Sequence, residues 1–373
     1  TIDTNASTTL TYNGVATGSG TLAKTGSGIL ELGGANTYTG ATNINAGTLR
    51  LGANDTLANA TAVTVAGGAT FDVASRTDTI GSLAGAGSVT LGSGSLTVGA
   101  SNASTTYSGV ASGTGNIVKT GTGTMIFSGA NTFTGNLQID QGTVGLGASN
   151  TFASSLVLNG GTLSTSGFSN TFNGVSLLSS SAINFNSMGG LLGVGTGSYT
   201  GGLLTVDNWA GSPTGGGASQ LLVNNLTALN STFLNNITFS GYGAGAQIIN
   251  VGGVFEIVPI TGSAYTWGVD GNGTWSGTNW AGGLANPGGT GTTSVFGNAI
   301  TANATVTLDA ARTAGYLIFN DNNNYTIAPS AAERITLDVT GGSAAISLSN
   351  TGSQTISAGL TLNDALNINQ NST

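Results

Sequence analysis

Along most of this chain apolar residues recur at every second position, in runs of three or four residues. Leu30 with Leu32, Leu49 with Leu51, Val63 with Val65, Val89 with Leu91, Leu96 with Val98 and Leu156 with Leu158 each form such a pair. Alternation of this period turns one side of an extended strand inward and the other outward. The runs stop at glycine corners such as Gly67-Gly68, Gly92, Gly99 and Gly160-Gly161, where the backbone turns easily. Short strands joined by tight corners predict a chain that winds, coil upon coil.

A longer period overlies this alternation. Tyr12–Asp55, YNGVATGSGTLAKTGSGILELGGANTYTGATNINAGTLRLGAND, returns 95 residues later as Tyr107–Asn150, YSGVASGTGNIVKTGTGTMIFSGANTFTGNLQIDQGTVGLGASN. The pairing aligns Lys24 with Lys119, Asn36 with Asn131, Tyr38 with Phe133, Ile44 with Ile139 and Gly47 with Gly142. A coil of about 19 residues makes the offset about five coils, and ~18 coils spaced ~4.8 Å apart would build a rod of about 90 Å. Inward Leu, Ile, Val and Phe would stack into columns, and outward Thr, Ser and Asn into hydrogen-bonded ladders.

Composition narrows the class further. Of 373 residues 64 are glycine and 5% are charged, against about a quarter charged in average globular chains. Good helix formers are scarce, so long helices are not expected. The chain has no cysteine and no histidine, which removes disulfides, thiol and imidazole chemistry and most transition-metal sites. A net charge of −8 from only six Lys and Arg excludes the basic patch that nucleic acid requires. No apolar run reaches the ~20 residues of a membrane-spanning helix, and residues 1 to 20 lack the pattern of a signal peptide. The expectation is a secreted protein whose leader has been removed, or a segment of a longer product.

The string KTGSGILELGGANTYTGATNINAGTLRLG, from Lys24, resembles the autotransporter passenger-associated β-strand repeat. The second copy, KTGTGTMIFSGANTFTGNLQIDQGTVGLG, resembles it with Phe133 in place of Tyr and Leu137 where the first has Thr42. The resemblance implies an all-β, right-handed parallel β-helix displayed outside a Gram-negative-type cell. Residues from Tyr265 onward, YTWGVDGNGTWSGTNWAGG, resemble the opening module of large passenger-type proteins, and residues 203 to 260 the segment that closes them. The expected domains are a solenoid over 1–165 with repeats at 12–55 and 107–150, a closing segment over 166–262, and an opening-type β module over 263–373.

This order, middle, end and then beginning, suggests a permuted cut near Pro259 to Ala264. The tail LTLNDALNINQNST would run on into the first strands of another copy. Both ends lack protective charge, since residues 4 to 15 and Ala365–Thr373 contain none. Open sheet edges recruit further strands, and ends that stack without closing generate filaments. Leu360, Leu362, Leu366 and Ile368 are therefore the candidate assembly residues, with self as the expected partner in a head-to-tail homopolymer.

Candidate chemistry is sparse. Trp209, Trp267, Trp275 and Trp280 would stack on sugar rings if exposed, or plug a module boundary if buried. Asp270 with Asn272, and Asp321 among asparagines, supply oxygens for Ca²⁺, but without EF-hand spacing they read as Asx turns. Lys24 and Lys119 read as solvated gatekeepers on exposed corners. The acidic residues are scattered, and Asp72 with Asp78 is among the closest pairs, whereas glycoside hydrolysis needs two carboxylates held about 5 to 9.5 Å apart. Gly-rich strings lack the ending of a phosphate loop. The sequence thus predicts a non-catalytic protein without cofactor or metal. Its first-ranked role is a self-assembling surface fibre; the alternative is a surface adhesin binding glycans, followed by a polysaccharide-acting enzyme.

Overall fold

A computed structural model describes residues 1–149, 151–213, 215–223, 233–234, 236–242, 246–251, 254–259, 264–281, 288–297, 300–339, 344–348 and 352–370. It is a parallel β-solenoid of about 16 turns, and the described residues hold no helix beyond one turn at Phe233 and Leu234. The chain divides into two compact units, the first comprising Thr1–Gly195 with Tyr199–Trp209, the second Thr196–Ser198 with Ala210–Thr373.

In the first unit successive strands fall on three parallel sheets, which form the faces of the solenoid; the second sheet ends at Ala111–Ser112 and the third begins at Thr77–Ile80. The first face stacks Leu22–Thr25, Thr42–Ile44, Ala62–Val65, Ser82–Gly85, Thr105–Tyr107, Thr124–Phe127, Thr143–Leu146, Thr162–Ser164, Ser181–Asn184 and Leu204–Asp207. The second carries Thr9–Tyr12, Ile29–Leu32, Thr48–Leu51, Thr70–Asp72, Ser88–Thr90 and Ala111–Ser112; the third begins with Thr77–Ile80, Ser95–Val98, Asn116–Lys119 and Asn136–Ile139. Partners on the first face lie between 19 (Val144 with Leu163) and 23 (Ile183 with Val206) residues apart. The coil is therefore longer and less regular than a constant 19.

The alternation is satisfied on all three faces. Leu30, Leu49, Phe71, Val89 and Ala111 stand in direct register on the second face and are fully buried. Ile80, Val98, Lys119, Ile139, Leu158 and Leu177 form the matching column on the third. Burying each large aliphatic side chain stabilises by roughly 1.5–3 kcal/mol, so a chain poor in charge holds together through these columns. Aromatic rings join them: Phe152 packs edge-on to Phe127 and Phe133 and stacks on Phe172.

The long repeat does not coincide with whole coils. Its first copy uses the first and second faces, through Leu22–Thr25 and Ile29–Leu32; its second uses the third and first, through Asn116–Lys119 and Thr124–Phe127. From Leu22 the chain completes four coils on the first face, to Thr105, then passes the second and reaches the third at Asn116. The offset is thus four and two-thirds coils rather than five. A strand-corner-strand module makes the same contacts on any adjacent pair of faces, so nothing ties it to one face.

Tyr107 shows what the stacking asks of a polar group. Its ring is buried and its hydroxyl donates to the Gly87 carbonyl at 2.8 Å. Gly109 makes room, because a Cβ there would lie 1.8 Å from that same oxygen. Tyr107→Phe is expected to cost about 1 kcal/mol, the net worth of one such bond, as a shift in the denaturant midpoint at unchanged slope.

The second unit opens with antiparallel pairs, Val254–Pro259 lying against both Ser219–Val223 and Ala246–Val251. From Ala264 a second three-faced parallel solenoid winds. Its first face stacks Ala264–Thr266, Thr293–Phe296, Tyr316–Phe319, Ala344–Leu348 and Leu366–Gln370. Its core contains Trp267, Trp275, Trp280, Phe296, Phe319 and Tyr325.

Candidate binding surfaces

The residues that sequence singled out divide into groups that hold coils together and groups left outside. Lys24 and Lys119 belong to the first, which overturns their assignment to exposed corners. Both are fully buried. Lys24 Nζ donates to the carbonyls of Thr25 (2.7 Å), Gly26 (2.7 Å) and Ala46 (3.1 Å). Lys119 Nζ donates to Thr120 (2.6 Å), Gly121 (2.7 Å) and Gln141 (3.3 Å). Gly26 and Gly121, at φ of 70° and 65°, sit in the left-handed region at these corners, which disfavours a side chain. Burial lowers the pKa of both ammonium groups, and the Asp3 charge opposes that shift at Lys24.

Asn36 and Asn131 are a second repeated device, also buried rather than laddered on the surface. Their Oδ1 atoms accept the N–H of Ala16 (2.8 Å) and Ala111 (2.9 Å), and their Nδ2 groups donate to Gly34 (2.8 Å) and Gly129 (2.9 Å). Asp78 does similar work as a carboxylate. Its Oδ2 accepts the N–H groups of Thr56 and Leu57, both at 3.0 Å, and its Oδ1 that of Thr79 at 2.8 Å. Burial pushes its pKa up to about 6, against the lowering effect of these bonds.

Asp72 is engaged elsewhere, by Arg50 Nε at 2.9 Å and Thr90 Oγ1 at 2.9 Å. The two aspartates are thus used separately, one outside a coil and one within. The outward ladders do form in places: Asn159 donates to Asp140 at 2.8 Å, and Ser179 to Asn159 at 3.2 Å.

Trp267, Trp275 and Trp280 pack into the core of the second unit. Phe296 lies 5.5 to 6.5 Å from all three, and the Trp280 indole donates to the Trp275 carbonyl at 2.8 Å. No face of these rings is left for a sugar, so of the two readings they take packing. Trp209 is half-buried.

The oxygen-rich loops bond between coils. Asp270 accepts both the N–H (2.7 Å) and the hydroxyl (2.9 Å) of Thr301, and Asn272 accepts the N–H of Thr305 at 2.6 Å. Asp321 is buried and accepts the N–H of Asn323 at 2.9 Å. Among the described residues no three acidic side chains gather where a metal ion would sit. Of the candidate assembly residues, Leu360 and Leu366 pack against the core, whereas Leu362 (53%) and Ile368 (66%) stand exposed.

A shallow groove lies on the first face of the first unit, a feature absent from the sequence reading. It has a volume of about 350 Å³ and crosses three coils, from Gly160, Gly161 and Thr162 over Ser180, Ser181 and Ala182 to Leu203, Thr205 and Asp207. Its origin is a gap in a column. Thr124, Thr143, Thr162, Ala182 and Thr205 occupy one outward register position, and Ala182 lacks the hydroxyl and methyl that its neighbours carry. That signal could not be read without the register, because coil length changes along the chain.

Residues 22–51 and 117–146 match the passenger-associated-transport-repeat family. A stretch of 148 residues is 35% identical to the Adhesin BmaC autotransporter of Brucella suis biovar 1 (strain 1330). That match covers 38% of this chain and 4% of the relative, so the chain spans a small fraction of that protein's length. No solved structure matches the chain. The repeats and this relative identify a passenger-type protein of the autotransporter kind, at the cell surface or outside a Gram-negative cell.

Proposed function

We propose that the chain is an adhesive, non-catalytic segment of a surface-displayed passenger. The observation that carries this reading is the 35% identity over 148 residues with a protein named as an adhesin. The solenoid supports it physically. Its side chains of highest chemical interest, Lys24, Lys119 and Asp78, hold neighbouring coils together, while many other Thr, Ser and Asn side chains face outward. Such a surface is rigid, nearly uncharged and rich in hydroxyls, which suits many weak polar contacts. The comparison favours this reading over the self-assembling fibre that the sequence ranks first.

The test uses beads coated with the purified chain, applied to cultured mammalian cells and to immobilised matrix proteins and glycans. Retention above albumin-coated beads, blocked by the soluble chain, is expected. Retention equal to albumin on every surface would reject the adhesin role.

A further inference from the structure

The groove on the first face combines features that point to one class of ligand. Its length follows the solenoid axis: Thr162 and Thr205 are two coils apart, about 10 Å at ordinary strand spacing, with the Ala182 gap between them. Neither threonine hydroxyl has a hydrogen-bond partner among the described residues, so both remain available to a ligand. Ser180 Oγ accepts the Leu203 N–H at 3.1 Å and keeps its own proton to donate. Asp207 lies two residues beyond Thr205 on the same strand and the same side, and brings a carboxylate to the rim. Leu203, 41% exposed, offers an apolar surface beside these polar groups.

Hydroxyls and a carboxylate set beside an apolar patch are the complement of a sugar ring, whose hydroxyls donate in its plane while its C–H face is apolar. Charge selects further. The residues lining the groove include no Lys or Arg, so none of them would pair a sialic acid, uronate or sulfate, and Asp207 would repel them. The volume of about 350 Å³ falls in the range of roughly 300–1,000 Å³ typical of small-ligand sites.

We propose that this groove binds a short, uncharged segment of a glycan, laid along the solenoid axis over Ala182. Asp207 and the hydroxyls of Thr162, Ser180 and Thr205 take the sugar hydroxyls, and Leu203 takes the apolar face. The proposal rests on the adhesive reading and names the ligand class for it.

Ala182→Thr tests it directly. The substitution completes the column of threonines, a side chain that the same register position already accepts in neighbouring coils, and so fills the groove while leaving the fold intact. The chain and two variants, Ala182→Thr and Asp207→Asn, are titrated with a panel of neutral gluco-, galacto- and manno-oligosaccharides and with sialylated and sulfated counterparts. Circular dichroism and melting confirm that each variant folds. At least one neutral oligosaccharide should bind, with affinity falling about tenfold or more in each variant, as expected when a charge-assisted hydrogen bond or the space itself is lost.

Failure of every neutral sugar to bind, preference for the anionic ones, or unchanged affinity in Ala182→Thr would overturn the site. The bead assay separates this from the broader role. Beads coated with Ala182→Thr that adhere as well as the parent would reject the groove and keep the adhesin, whereas parent beads that fail to adhere would reject both.

Discussion

Replacing Lys119 with methionine is expected to destabilise the first unit by about 3 kcal/mol, although the two side chains are similar in length and the site is fully buried. Methionine would suit an apolar column better than an ammonium does. It cannot, however, satisfy the carbonyls of Thr120, Gly121 and Gln141, and a buried acceptor without a donor costs about 1–3 kcal/mol. Lys119→Ala adds a cavity in the column between Val98 and Ile139, and should reach about 5 kcal/mol. Because each coil contacts only its neighbours, the loss should concentrate there. Hydrogen exchange of amides in the coils flanking Lys119 should accelerate far more than exchange near Phe71. Lys24→Met should behave alike, since its corner is the same on a different face. Unchanged stability in both methionine variants would show that the ammonium groups do not hold these corners.

Raising the pH from 4 to 7 should weaken the same unit by about 2 kcal/mol through Asp78 alone. Its pKa is about 6 in the folded chain against an ordinary value of 3.8, so between these values the folded state holds a proton that the unfolded state has released. Stability from this group is therefore complete below about pH 4, falls between pH 4 and 6, and stays level above. Asp78→Asn removes the titration. The amide oxygen can still accept from Thr56 and Leu57, while the bond from Thr79 is lost, at about 1 kcal/mol. The variant should be slightly less stable than the parent at pH 4 and more stable at pH 7. Denaturation curves at the two pH values measure this crossing, and a constant difference between the two proteins would refute it.

The columns of the core were legible in the sequence because a strand repeats every two residues, and pairs such as Leu30 with Leu32 announce the inward side directly. The winding was legible through the 95-residue repeat. The position of each strand around the coil was not, because coils of 18 to 23 residues shift the faces by amounts that no constant period predicts. The lysines were misplaced for a different reason. A lysine is normally solvated, and only the corner shows three carbonyls converging on its ammonium. For the tryptophans the sequence left packing and sugar stacking open, and the ring contacts around Phe296 supply what the string of letters lacked. The candidate groove was hidden most deeply, since a lone alanine has meaning only against the threonines one coil to either side.

The mismatch between repeat and coil has a consequence for display. Each copy of the repeat arrives one-third of a rotation from the last, so any decoration encoded in it points in a new direction every time. Tandem copies at this spacing would send the same motif spiralling around the axis and return it to its starting side only after three copies. An arrangement of that kind has no preferred azimuth, and a rod so decorated would meet an opposing surface equally well whichever way it lay.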